Sequence, residues 1–422
     1  MHRVARYRQL ESARLQHARE QLDRDLVVVS DQNVHGFCQS SIRPLRTIVK
    51  WQAGPVVALS TLSALGTAGV SLPRPAFAQE DAWRPRTVPL FGVSYSPDVG
   101  LLLGAGLVHT RYGFRALPPS TRLLASIEYA TSARTYRAAV EGTLRQPLAP
   151  SILIIELRAS GLEIIRFYGF GNASDASQPD SVYRVRQKQL LFAPAVAVPL
   201  APRLRFVVGP LVNYARTPAD SGTLLRNAGP YYGAGNFGQV GGRAVLELDT
   251  RDALAAPARG THLRLEGRGY PAAWDVVEPF GSVSAEASTY VSAGDPPAAT
   301  VALRVGGAHV SGTAPLAEAV YVGGGTTVRG YAEQRFAGTS GAYANAELRL
   351  TVARLPAGDV GVFGLADAGR VWVAGEPSDR WHAAAGGGLW FAWRHSRANT
   401  VSLAVAKSPE RSALYLRTGF MF

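Results

Sequence analysis

The 422-residue chain has a single cysteine, Cys38, and only two methionines, Met1 and Met421. One thiol, placed near the N-terminus, excludes a disulfide framework in the rest of the chain. Beyond residue 78 there is no uninterrupted run of 18 apolar residues, which argues against helical membrane spans. The GxxxxGK[ST], HExxH and GxSxG patterns are absent, and the eight histidines are scattered without metal-ligand spacing. Residues 233–238 fit GxGxxG, but residues 239–249 alternate like a strand instead of opening a helix, so the segment reads as a glycine-rich loop. The sequence therefore offers no catalytic constellation, implies no metal or cofactor, and does not read as an enzyme. Acidic residues are the scarcer charge, 31 against 44 Lys and Arg. The arginines alternate with apolar residues instead of clustering, which speaks against a nucleic-acid partner.

What the chain does have is glycine, 44 residues of it, and short runs of period-2 alternation. The final run is the clearest. Leu414, Leu416, Thr418, Phe420 and Phe422 fall on one face, with Tyr415, Arg417 and Gly419 on the other. This is the pattern of a strand with one apolar and one polar side.

The N-terminal region reads as a targeting segment. Arg43, Arg46 and Lys50 form a basic start, residues 54–72 are small and apolar, and Ala76-Phe77-Ala78 offers a small-x-small cleavage site before Gln79. Residues 43–78 are thus expected to be an export signal cut between Ala78 and Gln79. Residues 1–42 form a charged preface, either a mis-assigned start or an extension removed on export. Residues 1–78 hold ten Lys/Arg and five Asp/Glu, leaving about +8 of the net +13 for the remainder. A short periplasmic segment, 79–86, precedes an expected barrel over 87–422.

From residue 87 onward, alternation and turn residues predict about sixteen strands. They fall near 87–95, 100–109, 121–130, 135–145, 151–160, 183–198, 203–215, 237–249, 260–269, 280–293, 299–311, 341–354, 359–368, 381–394, 398–407 and 411–422. The even-numbered connections are mostly short, whereas 161–182, 216–236, 312–340 and 369–380 are long. Short turns on one side and long loops on the other are expected of an outer-membrane barrel. The fold class is all-β: a transmembrane antiparallel β-barrel of about 16 strands.

One loop stands apart, Val328-Arg329-Gly330-Tyr331 within a glycine-rich stretch. Folded back into a barrel lumen, its guanidinium needs carboxylate partners. Glu347, on the inward face of the next strand, and Asp367, near the end of the one after, are placed to serve.

Four motifs together resemble the BamA/TamA superfamily of bacterial surface antigens. Val328-Arg329-Gly330-Tyr331 is similar to its lumen-loop motif, at the sixth outer loop. Residues 365–372 resemble its F-x-D-x-G-x-V-W strand end, with Leu365 in place of the aromatic. Residues 249–252 with 257–260 resemble its mid-barrel turn, and residues 167–172 a loop motif of its barrel-only members. The resemblance implies that Arg329 pairs with Glu347 and Asp367, and that client strands are inserted at a weak seam between the first and last strands. It also implies that Tyr415, Gly419, Phe420 and Phe422 act as a C-terminal assembly signal read by the barrel assembly machinery. The implied surroundings are outer-membrane lipid and lipopolysaccharide, with unfolded outer-membrane proteins as clients. Family insertases carry periplasmic polypeptide-transport-associated domains before the barrel, and residues 79–86 leave no room for one. Two functions stand open: outer-membrane protein assembly or translocation, and a passive pore or structural barrel without insertase activity.

Overall fold

A computed structural model describes residues 84–422, except 97–99, 114–115, 132, 146–149, 219–222 and 228–230. The preface 1–42, the export signal 43–78 and the Ala78/Gln79 cleavage position lie outside the described residues. One continuous antiparallel sheet dominates. Its spans are β1 (Arg86–Ser96), β2 (Gly100–Gly113), β3 (Ala116–Ala130), β4 (Thr135–Arg145), β5 (Ile152–Arg166), β6 (Arg184–Phe192 with Ala195–Ala201), β7 (Leu204–Thr217) and β8 (Gly235–Asp249). The second half comprises β9 (Gly260–Tyr270), β10 (Phe280–Ala293), β11 (Ala299–Ser311), β12 (Ser340–Leu355), β13 (Gly358–Trp372), β14 (His382–Trp393), β15 (Thr400–Lys407) and β16 (Ser412–Thr418). Each span pairs with the next in sequence, from Arg86↔Thr110 in the first ladder to Lys407↔Ser412 in the last. Among the described residues, no ladder joins β1 to β16.

β6 is one span in two segments, because both lie between β5 and β7. Pro194 breaks it: proline has no N–H to give the ladder. The break is accommodated by its neighbours. The Ala193 carbonyl accepts from Arg243 Nη2 at 3.0 Å, and on β7 only glycine fits at 209, where a Cβ would meet the Pro194 carbonyl at 2.0 Å.

Alternation sets the two faces. On β9, Leu263 and Leu265 are 41% and 48% exposed, while His262, Arg264 and Glu266 are 9%, 8% and 4% exposed. On β12, Leu348 and Leu350 point out while Tyr343, Asn345, Glu347 and Arg349 are buried inside. The outward face is an apolar belt suited to hydrocarbon, and the lumen holds the charges. Lumen charges are paired, across strands in Arg137 with Glu128 and Glu163 and in Arg304 with Glu286, and along β9 in Arg264 and Arg268 with Glu266. No helix among the described residues is long and apolar enough to cross a membrane. The apolar core lies where long loops fold inward, with Ile165, Phe167 and Val185 packed on Leu316, Tyr321 and Ala337.

The alternation read through Phe422 stops at Thr418. Gly419 adopts φ +80°, and a Cβ there would sit 2.2 Å from the Ala255 carbonyl. A left-handed residue ends the period-2 progression. The chain bends inward, so Phe420 and Phe422 leave the lipid-facing row of Leu414 and Leu416, and Phe422 is buried beside Tyr290 and Ala302.

Spans zipped to one another in lipid leave few backbone groups to detergent, so the fold is expected to survive SDS until heated. The unheated protein should run at a different apparent mass from the boiled one. Identical migration of the two samples would contradict the barrel.

Candidate functional site

The connection between β11 and β12 leaves the sheet at Gly312, which has φ +82° and where a Cβ would sit 2.6 Å from the Pro279 carbonyl. A three-residue 3₁₀ turn (Leu316–Glu318) leads into a ribbon of Val320–Val322 paired with Phe336–Gly338. The ribbon carries the loop tip, residues 323–335, into the lumen. Gly323 and Gly324 supply positive φ at the turn. Thr327 Oγ1 accepts from the Gly323 N–H at 2.8 Å, and Glu333 accepts from the Gly325 N–H at 2.6 Å. Val322, Val328, Tyr331 and Phe336 then pack on Tyr343, Val371 and Ala384 of the wall. Local hydrogen bonds shape the tip, and apolar burial holds it inside.

That placement buries Arg329 to 2% exposure. Its Nε and Nη2 donate to Asp367 Oδ2 and Oδ1 at 2.7 and 2.8 Å, and its Nη1 donates to Glu347 Oε1 at 2.5 Å. The Arg329 backbone N–H adds a bond to Asp367 Oδ2 at 3.0 Å. Planar guanidinium and carboxylate match as a fork, a geometry that lysine cannot reproduce. Burial works against the charge of Arg329, but Asp367 and Glu347 more than restore it, raising its pKa above the ordinary arginine value. Asn345 Nδ2 steadies Asp367 Oδ1 at 2.9 Å and also donates to the Thr327 carbonyl at 2.6 Å.

Gly330 sits at φ +87°, where a Cβ would come within 3.0 Å of the Ser408 nitrogen. Its N–H donates to Tyr415 Oη at 2.9 Å, and its carbonyl accepts from Ser408 Oγ at 2.8 Å. Tyr331 is buried against Phe336 and His382. Val328 is fully buried. The loop tip thus touches β12 and β13 through Arg329, and the last hairpin through Gly330.

The structure brings together Val328, Arg329, Gly330, Tyr331, Glu347, Asp367 and Tyr415. Gly419, Phe420 and Phe422 lie next to this group, beside the β8–β9 turn and against Arg349. Sequence reasoning missed Arg349, whose Nε and Nη2 donate to Glu347 Oε2 at 2.9 and 2.7 Å. Its position two residues after Glu347, on the same face of β12, was the available signal. The role of Asn172 was also unread. It bonds the Val371 N–H and carbonyl, at 3.1 and 2.8 Å, and so pins the loop after β5 to the end of β13. Arg335 joins the same cap, bonding Glu410 and lying over the Tyr168 and Phe336 rings.

Ligand atoms of Glu247, Asp249 and His262 lie within 4.8 Å of one another. These carboxylates are committed to cations: Glu247 to Arg205 and Asp249 to Arg251, at 2.5 and 2.7 Å. The cluster therefore reads as an ion-pair network, and no metal is assigned to it.

Residues 157–408 match the sequence model of the Omp85 superfamily domain. No curated protein matches the chain. Among solved structures it is similar to BamA from Haemophilus ducreyi lacking POTRA domains 1–3, at 14% identity and a TM-score of 0.58, over 79% of this chain and 69% of that one. It is also similar to CdiB from Escherichia coli, at 13% identity and a TM-score of 0.48, over 78% of this chain and 61% of that one. CdiB from Acinetobacter baumannii gives 14% identity and a TM-score of 0.48, over 78% and 58% of the two chains. At such identity the BamA likeness shows the barrel fold alone. The chain spans about three fifths of each CdiB chain.

Proposed function

The chain belongs to the Omp85 superfamily, and from that premise we propose that it is an integral outer-membrane barrel that assembles or translocates polypeptides at the seam between β1 and β16. The observation that carries this reading is the seam itself. Every span from β1 to β16 is zipped to its sequence neighbour, yet among the described residues no ladder closes the circle. An unpaired strand edge is a ready template for another strand, because its N–H and C=O groups lack partners. Inside lipid that deficit is costly, so the edge has a strong drive to accept a client strand.

The surrounding features fit the same reading. The outward belt of leucine and valine suits the bilayer core. Residues 43–78, cleaved between Ala78 and Gln79, would deliver the barrel across the inner membrane, after which the barrel assembly machinery would insert it. Unfolded outer-membrane proteins are the clients, and lipid with lipopolysaccharide is the medium. Arg329 and its carboxylates act as the anchor that fixes the lumen loop against β12 and β13, and Gly330 of the same loop reaches β16 at the seam through Tyr415.

The test is depletion in living cells, followed by a census of folded outer-membrane barrels. Loss of several barrels, or of one exported client, is the expected result. A loss confined to uptake or efflux of small solutes would contradict assembly and point to a passive pore.

A further inference from the structure

Arg349 uses its guanidinium on three segments at once and reaches a fourth through Glu347. Two donors bind Glu347 on its own strand, at 2.9 and 2.7 Å. Nη1 donates to the Pro257 carbonyl of the β8–β9 turn at 3.1 Å. Nη2 donates also to the Phe422 carbonyl at 2.9 Å, and the group lies 3.8 Å from the centroid of the Phe420 ring. The fourth segment is reached indirectly, since the other oxygen of Glu347 accepts from Arg329 of the lumen loop. The β8–β9 turn completes the seat: the Ala255 carbonyl accepts from the Phe420 N–H at 2.9 Å, and Arg397 holds the Ala256 carbonyl at 3.2 Å.

We propose that Arg349 is a latch, a positioning residue that holds Gly419–Phe422 inside the lumen and couples that segment, through the shared Glu347 carboxylate, to docking of the 312–339 loop. The physical basis is that a buried guanidinium must keep its partners. If Arg329 leaves, Glu347 keeps only Arg349, and Arg349 turns further towards it at the expense of Phe422 and Phe420. If Gly419–Phe422 leaves, Arg349 is freed to recruit Glu347 away from Arg329. Two binding equilibria that share one carboxylate are linked, and the linkage is reciprocal.

The latch sets the length of the last strand. With the segment bent inward, β16 ends at Thr418 and its edge is seven residues long. Released, the segment can continue the period-2 pattern of Leu414 and Leu416 and lengthen the edge at the seam. This consequence rests on the seam reading above; the latch itself does not.

The test is thiol labelling of Met421→Cys, in a Cys38→Ser chain folded in detergent, by a soluble maleimide. Met421 is 5% exposed, so labelling of this reporter should be slow. Arg349→Ala should raise its rate on the order of tenfold, the scale of losing one charge-assisted hydrogen bond. Arg329→Ala should raise it too, by a smaller factor. A second reporter, Val245→Cys, lies in a separate cluster with Ala197 and Val207 and should not respond. If Arg349→Ala gives no heat-modifiable barrel, Arg349→Lys replaces it, keeping the charge but losing the fork and the flat face over Phe420. An unchanged rate at 421 in the Arg349 variant, or an equal rise at 421 and 245, overturns the latch. A rise with Arg349→Ala and none with Arg329→Ala overturns the coupling. None of these readouts depends on assembly activity.

Discussion

Arg329→Ala is expected to cost the folded barrel about 3 kcal/mol or more in detergent, the scale of breaking a buried ion pair by removing one partner. The cost does not come from a lost attraction alone. Asp367 keeps Asn345 and the residue-329 backbone N–H but loses both arms of its fork, and Glu347 keeps only Arg349. Carboxylates stranded in the lumen must then draw in water or a proton. Urea unfolding should report the loss, and added protease should cut residues 312–339 in the variant but not in the parent. Combining Arg329→Ala with Glu347→Gln and Asp367→Asn should recover much of the stability, because removing both sides of a buried pair leaves little uncompensated charge. Parental stability and parental protease resistance in Arg329→Ala would refute the anchor.

Much of this architecture was legible because a bilayer imposes period-2 alternation on every span. The predicted strand at 280–293 matches β10 residue for residue, and 299–311 matches β11 likewise. On these strands the exposed Val283, Val291, Val301, Leu303 and Val305 and the buried Ser288, Tyr290, Thr300, Ala302 and Arg304 keep to opposite faces, which leaves the register little freedom. The last strand was misread beyond Thr418 because Phe420 and Phe422 continue the apolar pattern. What ends the strand is the backbone of Gly419, and its left-handed φ depends on the approach of Ala255 from a turn about 160 residues earlier. The β6 break at Pro194 carried a local signal, yet the predicted span 183–198 ran through it. Within a sheet proline is confined to edges, strand starts and bulges, and at this break Gly209 and Arg243 stand opposite it.

At the site, the arginine and both carboxylates were readable from side-chain face and order along the chain. Arg349 was not, although it lies on the same face, because nothing local shows that the last residues fold back to meet it. The same holds for Asn172, which replaces a missing backbone partner for Val371, nearly two hundred residues away. Contacts that join distant loops within a lumen leave no periodicity behind them. They depend on the sheet curling round one lumen, which alternation predicts only as a whole.

If the seam between β1 and β16 passes client strands, closing that seam should stop assembly. Cys38 is the chain's only cysteine, so a Cys38→Ser background is free of thiols. Cysteine pairs scanned with one member in Arg86–Ser96 and one in Ser412–Thr418 should find positions close enough to bridge, and the bridged species is resolved on non-reducing gels. Folded client barrels in the outer membrane are then counted with the bridge oxidised and after reduction. The expected result is that clients vanish when the seam is bridged and return when it is reduced, while the barrel itself stays heat-modifiable throughout. Undiminished client assembly by a fully bridged barrel would show that clients do not pass through the seam.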